Sequence, residues 1–542
     1  MILEKLKLYA QNVDFASYFA VGYSLLLLPL TILLYAVSPK QVRRFVLLIA
    51  SFAFFWAISG VLLIYLLVTI LSIWGIGLWL SHLQAKCDSR VSLAEKAEKK
   101  AIKAASQKTQ RWVLALGICF NLGILVVLKY TAFFTTNLNS LLSPCGVRLK
   151  VPAFVLPIGI SFYTMQATAY LFDVYRKTVK ADRNLLRMAM FMSFFPQIME
   201  GPICRYTDTA QTLYSAERIK WNNFLFGMQR ILYGSLKKMV IADRLNLFIN
   251  NVFTNYQNYD GFVIALAAVC YTIQLYMEFS GAMDVVCGSG QIFGITMPEN
   301  FRRPFFSKSI SEFWTRWHIT LGTWFKDYLF YPMSMSKPLK KLTSNARKKL
   351  GNHFGPLCSG AIALFCVWLM NGLWHGAGWN YIFFGMYHFV LILSGNICEP
   401  YIVKLTGKLH IQRDHFLYKG FRIFKTTVLV CIGELFFRAD GIVAGLSMFA
   451  KIFTDFTFAK LADGSLFLFG LDRMDYLIVA VMVGVVFVVS LLQERGVGIR
   501  AWVAERNIVI RFLFWYLLLL VIIIFGAYGV GYVPVDPIYA AF

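Results

Sequence analysis

From Ile362 to Leu393 the chain is an apolar run long enough to cross a bilayer, which takes about 20 residues. Inside it stands Asn371-Gly372-Leu373-Trp374-His375-Gly376-Ala377-Gly378-Trp379. Lipid offers no hydrogen bonds to an exposed backbone, so such a run must fold as helix. An ionisable side chain there faces protein or a water-filled cavity and is a functional candidate by default. The same constraint applies along most of the 542 residues, of which 58% are hydrophobic and 15% charged. That composition belongs to a membrane protein crossing the bilayer many times and argues against a soluble enzyme. Basic residues lie between apolar spans, so the net charge of +25 reads as cytoplasmic loops and contact with lipid headgroups, not nucleic-acid binding. The ten cysteines show no C-x-x-C and no metal-like spacing, so neither disulfides nor a metal site are expected.

In chain order, spans are expected at 18–37, 45–58 and 61–80, with a tight turn at Ser59-Gly60. The polar segment Ser81–Arg111 has eight Lys/Arg against three acids and reads as an exposed helix. Its charge places that loop in the cytoplasm and the N-terminus outside. A fourth span follows at 112–134. The stretch 156–172 is interrupted by Pro157 and Gly159, and its Gln166 and Thr168 suit a wall facing other helices or a cavity. Met188–Arg205, with two prolines, a glycine and Glu200, predicts a broken or re-entrant helix buried in protein. Asn223–Phe253 alternates apolar and basic residues and reads as an interfacial helix or a span with cytoplasmic flanks. The next span, 263–279, leads into two acids, Glu278 and Asp284. Phe301–Asn352 has eleven Lys/Arg against two acids, and ten aromatics crowd residues 305–331; this describes interfacial helices on the cytoplasmic face. Further spans at 424–437, 476–492 and 508–530 bring the total to about eleven. The expected organisation is three regions: N-terminal membrane helices in 1–150, a core in 151–400 and C-terminal membrane helices in 401–542. No internal repeat is visible, which weakens a transporter reading.

Of seven histidines, 375 and 388 lie clearly within an apolar run. Taken alone, each is more often a hydrogen-bonded structural residue than a catalyst. The surroundings of His375 change that balance. Gly372, Gly376 and Gly378 weaken a regular helix and permit close approach; Trp374 and Trp379 bracket the site; Asn371 stands one turn away as a hydrogen-bond partner. A neutral imidazole there can take the proton of a hydroxyl attacking a carbonyl. No nucleophile elbow, phosphate loop or His-Glu-x-x-His motif is present, so a self-contained hydrolase or zinc enzyme is unsupported.

Four ordered stretches resemble the membrane-bound O-acyltransferases, in the bacterial branch of alginate O-acetylation and teichoic-acid D-alanylation. They are Ser161-Phe162-Tyr163 through Asp173-Val174-Tyr175-Arg176; Phe194-Phe195-Pro196-Gln197 with Gly201-Pro202 and Arg205-Tyr206; Phe313-Trp314-x-Arg316-Trp317-His318 with Asp327-Tyr328; and Asn371 through Gly376. A fifth, Phe279-Ser280-Gly281-x-x-Asp284 leading to Pro298-Glu299-Asn300-Phe301, also fits. Lys326 stands where the family often has Arg, and Ser334-Met335-Ser336 replaces its glycines. The resemblance implies an all-α ring of tilted helices around a central tunnel, with re-entrant and interfacial helices. It implies His375 as the catalytic histidine and His318 as the second, with Asn371, Trp374, Asp327, Trp317 and Glu200 lining or supporting the site. No bound cofactor is implied. The donor would be a cytoplasmic thioester, acetyl-CoA or an acyl carrier protein, and an esterase-like transferase outside the cell would be the partner. The tail Ile538-Tyr539-Ala540-Ala541-Phe542 is similar to the end of small companion proteins of this branch, which makes Tyr539 a candidate acyl relay; an aromatic interface anchor is the other reading. The expected function is transfer of a short acyl group, acetyl in the first reading, to a cell-envelope polysaccharide. The alternatives are D-alanyl transfer to teichoic acid, or a proton-coupled transporter using His375, Glu200 and Asp284.

Overall fold

Backbone that cannot reach water must bond to itself, and among the described residues the fold is carried by helices, with one isolated antiparallel bridge between Phe301 and Trp317. The computed structural model describes residue 15 and residues 17–528. Seven helical stretches among them are long and apolar enough to cross a membrane, and Gly22–Val37 and Gly441–Thr454 are apolar but shorter. The chain is an all-α polytopic membrane protein. It divides into two units, whose described residues are 15 and 17–231 with Val285–Pro298 in one and Leu232–Asp284 with 299–528 in the other.

The first unit begins with α1 (Leu28–Val37), α2 (Lys40–Ser59) and α3 (Leu63–Leu93). The turn between α2 and α3 uses Gly60 at φ +52, where a side chain would be strained. α4 (Lys99–Leu142) follows. The polar segment 81–111 is therefore not one exposed helix, as its composition suggested, but the projecting ends of two long helices joined at residues 94–98. Its Ala, Lys and Glu residues extend helices already begun, and only the extended backbone at Ala94 breaks them. α5 (Ile160–Tyr175) and α6 (Leu185–Ser193) come next. After α6 the chain loses helical form through Phe194–Cys204 yet stays buried, as two prolines and a glycine led us to expect. Side chains replace the missing helix bonds. Gln166 and Gln197 both donate to the carbonyl of Phe191, at 2.8 and 2.7 Å, and the Ser51 hydroxyl accepts the Phe195 amide at 3.1 Å. α7 (Tyr206–Ser215) and α8 (Trp221–Ser235) lead out of this segment.

A π-helical turn, Leu236–Ala242, joins α8 to α9 (Asp243–Thr254), and α10 (Gly261–Ile292) follows. The alternation of apolar and basic residues here suggests an interfacial helix or a span with cytoplasmic flanks, and neither anticipates that Lys237, Lys238 and Arg244 are buried. Lys237 Nζ lies 2.5 Å from Asp284 and 3.0 Å from the Ser280 hydroxyl. Lys238 Nζ lies 2.5 Å from Asp243 and 3.3 Å from Glu278. Arg244 pairs with Asp475 and donates to the carbonyl of Phe525 at 2.7 Å. Carboxylates, Asp243 nearby in sequence and Glu278, Asp284 and Asp475 from other helices, compensate the buried cations in place of water.

Short helices α11 (Ile310–Arg316), α12 (Ile319–Phe325) and α13 (Tyr331–Ser334) occupy the first part of the aromatic, basic segment 301–352. α14 (Lys337–His375) is kinked at Gly351, whose φ of 78° is left-handed. α15 (Trp379–Lys408), α16 (Phe416–Arg438), α17 (Gly441–Thr454), α18 (Arg473–Glu494) and α19 (Ile508–Phe525) complete the second unit.

Candidate active site

His375 is the last residue of α14, not a residue midway along a continuous span. The helix ends there because Gly376 adopts extended backbone, and Gly378 caps the start of α15. The two helices then pack backbone against backbone. A Cβ on Gly372 would strike the carbonyl of Tyr381, and one on Gly385 would strike the carbonyl of Trp368. Gly372 thus serves helix approach rather than helix breaking, and the break falls at Gly376. A histidine at this end of a helix also sits at the negative pole of the helix dipole. His375 is buried among rings, with centroids of Trp374, Phe437 and Phe384 at 5.0, 5.1 and 5.9 Å.

His318 links α11 to α12 in left-handed backbone, φ 46° and ψ 52°. Its ring is buried against Phe279 of α10 at 4.9 Å and Trp374 at 5.6 Å. Burial pushes its imidazole down to about 3, so it is neutral at physiological pH and keeps a lone pair for accepting a proton or hydrogen bond. Trp374 therefore contacts both imidazoles, which come from separate parts of the sequence but from the same unit.

A probable alginate O-acetylase of Pseudomonas syringae is 33% identical over 443 residues, covering 81% of this chain and 76% of that protein. This chain belongs to the membrane-bound O-acyltransferase family. The family's model matches residues 174–347. A peptidoglycan O-acetyltransferase of Helicobacter pylori is 31% identical over 52% of this chain and 54% of its own length. A teichoic acid D-alanyltransferase of Bacillus subtilis is 31% identical over 49% of this chain and 68% of its own length. The protein is an O-acyltransferase of the multi-pass membrane type.

In this O-acyltransferase the other candidate residues divide by position. Trp374 and Trp317 are buried; Trp317 stacks on Phe313 at 5.4 Å and meets Phe301 at 5.1 Å. Trp379 is 56% exposed, so Trp374 alone of the two expected tryptophans walls the site. Asn371 is buried one turn before His375, and its Oδ1 accepts no hydrogen bond among the described residues. Asp327 is half-buried in the π-helical turn Lys326–Phe330 that continues α12. Glu200 is buried in the irregular segment of the first unit, where the neighbouring Met199 amide donates to Tyr18 at 3.3 Å. Tyr539 lies outside the described residues. Asp284, which the transporter reading required, is ion-paired to Lys237. His388 is wholly buried and its Nδ1 accepts the indole N–H of Trp314 at 3.2 Å, bracing α11 against α15. Among the described residues no group of three or more His, Cys, Asp or Glu is placed to hold a metal ion.

Sequence reasoning missed Phe279, Phe384 and Phe437 as walls. Nothing distinguishes them from the chain's 49 phenylalanines until the helices are assembled. Asn300 was quoted within a motif but given no role.

Proposed function

We propose that this O-acyltransferase moves a short acyl group, acetyl in the first instance, from a cytoplasmic thioester to a hydroxyl that carries it to a cell-envelope polymer outside. The observation that carries the reading is the pair of buried imidazoles meeting one tryptophan, His318 at 5.6 Å and His375 at 5.0 Å. His375 accepts the proton of the acceptor hydroxyl as its oxygen attacks the thioester carbonyl. The tetrahedral intermediate collapses, an ester forms, and the C–S bond breaks. The departing thiolate takes the proton from His375 and leaves as a thiol. His318, neutral, positions or hydrogen-bonds the reacting group. The aromatic walls exclude water, which would otherwise hydrolyse the donor.

Support for a cell-envelope acceptor comes from the relatives, which are named for alginate, peptidoglycan and teichoic acid. The acetyl reading is favoured over D-alanyl because the alginate relative matches over 443 residues and the D-alanyltransferase over 280. The donor is acetyl-CoA or an acyl carrier protein docking on the basic face of residues 301–352, with the N-terminus outside, and an esterase-like transferase outside completes transfer. Tyr539 is the relay hydroxyl in this scheme, and mass spectrometry of the C-terminal peptide after incubation with donor should show an acyltyrosine. The central test is His375→Ala. Membranes with wild-type amounts of this variant should form no acyl ester and release no thiol from acetyl-CoA or a carrier-linked donor. Continued ester formation would remove His375 from the reaction.

A further inference from the structure

His318 sits in left-handed backbone, which disfavours a residue with a Cβ, so something must hold it there. The chain before and after it forms a clamp. Arg302 N–H donates to the carbonyl of Arg316 at 2.9 Å, Phe301 bridges Trp317, and Ile319 N–H donates to the carbonyl of Asn300 at 3.0 Å. The Asn300 side chain then reaches one residue further. Its Oδ1 accepts both the amide of Thr320 at 3.0 Å and the hydroxyl of Thr320 at 2.8 Å. Its Nδ2 is tied to Met283 Sδ on α10 at 3.2 Å. Asn300 is 1% exposed, so these bonds face no competition from water. Asn300 therefore fastens the two residues that follow His318, and the carbonyl of His318 itself accepts the Gly322 amide at 3.1 Å as α12 begins. With the chain pinned on both sides, the left-handed turn at His318 directs its ring to Phe279 and Trp374.

We infer that Asn300 is the positioning residue of His318, acting through Thr320 to set where the second imidazole meets the acyl-transfer site. The inference rests on the reading of His318 as part of that site. Asparagine suits the place because it offers an uncharged oxygen at a reach that meets two donors on one residue, with an amide group left to face the thioether. A catalytic group displaced by about 1 Å loses on the order of 100-fold in rate.

The test is the initial rate at which base-releasable acyl esters appear on the envelope polymers of the source strain, with acetate and D-alanine measured separately and each variant as the only copy. Rates are normalised to folded protein, from membrane content and the unfolding midpoint of purified protein. Asn300→Leu, which keeps the volume and removes the acceptor, should lower the rate on the order of 10- to 100-fold. Asn300→Asp, which keeps an acceptor oxygen at the same reach for both Thr320 donors, should recover about tenfold over Leu. In a His318→Ala background, Asn300→Leu should add less than about twofold, since the residue it positions is gone. Wild-type rate in Asn300→Leu, equal rates for Leu and Asp, or the same proportional loss with and without His318 would each overturn the assignment. Ester formation persisting in His375→Ala would instead bring down the proposed function and leave the clamp itself untouched.

Discussion

Two nearly identical tetrapeptides in this enzyme meet opposite fates. Leu236-Lys237-Lys238-Met239 and Leu339-Lys340-Lys341-Leu342 both place a lysine pair between apolar residues on a helical stretch. The first pair is buried, with Asp284 and Ser280 on one ammonium and Asp243 and Glu278 on the other. The second pair is exposed, at the start of α14. No Asp or Glu occurs from Tyr328 to Cys398, so the neighbouring sequence has no countercharge to offer it. What separates the two is Asp243, five residues after Lys238, together with the chain about forty residues downstream, where α10 returns with Glu278 and Asp284. Local amphipathicity told us only that the lysines would be near an interface; the partner acids decided whether that interface was water or protein. The difference also reaches the candidate site, because Glu278 and Ser280 flank Phe279, whose ring packs on His318.

The largest effect that would break this comparison is at Lys238. Lys238→Met leaves the buried Glu278 and the half-buried Asp243 beside a thioether, and removal of one partner of a buried ion pair costs about 3–5 kcal/mol. Thermal unfolding of the purified protein should show a large drop in midpoint, with less acyl transfer as Phe279 loses its support. Lys238→Met combined with Glu278→Gln and Asp243→Asn should regain much of that loss, since the stranded charges are gone. If the single variant unfolds like wild type, the buried pairs are not what holds the π-helical turn.

An intermediate case sharpens the contrast. Glu494, at the end of α18, bridges Arg303 at 2.6 Å and Arg316 at 2.9 Å, and Arg316 also reaches Glu312 at 2.8 Å. These groups keep between about a fifth and a third of their side-chain surface exposed, so water screens them. Glu494→Gln should cost about 1 kcal/mol or less, and the loss should shrink in high salt, where Lys238→Met should not change. A salt-independent loss from Glu494→Gln would place this network with the buried pairs.

The same distinction explains what the sequence made legible. The His375 stretch could be marked as a candidate site because its parts are contiguous: Asn371, Gly372, Trp374, His375, Gly376 and Gly378 fall together, although the apolar run 362–393 read as one span and hid the helix end at His375. The broken helix at 194–205 was legible for the same reason, since prolines and a glycine act where they stand. The fate of Lys237 and Lys238 was not, nor were the walls Phe279 and Phe437 or the clamp at Asn300. Each depends on a residue brought in from another helix. Trp379 shows the converse error: proximity in sequence to His375 suggested a wall, but the residue starts α15 with its ring outward. Where a helix turns can be read locally, but which face it presents there depends on the partner.

The smallest effect belongs to the exposed pair. Lys340→Gln with Lys341→Gln removes two solvated charges that have no ion-pair partner among the described residues, and surface changes of this kind fall within about 0.5 kcal/mol. The helix itself should persist, because glutamine is nearly as good a helix former as lysine, and its packing onto the rest of α14 runs through other residues. Thr343 and Ser359 share a hydrogen bond at 2.5 Å across the kink, and a Cβ on Gly355 would meet the backbone of Arg347. Unfolding midpoints of this double variant and wild type should therefore coincide within error. A drop comparable to that of Lys238→Met would mean that the exposed pair also meets a buried countercharge, and the contrast between the two tetrapeptides would disappear. The charges should matter elsewhere, in the attraction of this face to anionic headgroups or an acidic carrier, at roughly 1 kcal/mol per lysine near the surface. Flotation of the purified protein with anionic vesicles is no test for an embedded chain, but the apparent KM for a carrier-linked donor is, and it should rise in the double variant while the maximal rate holds.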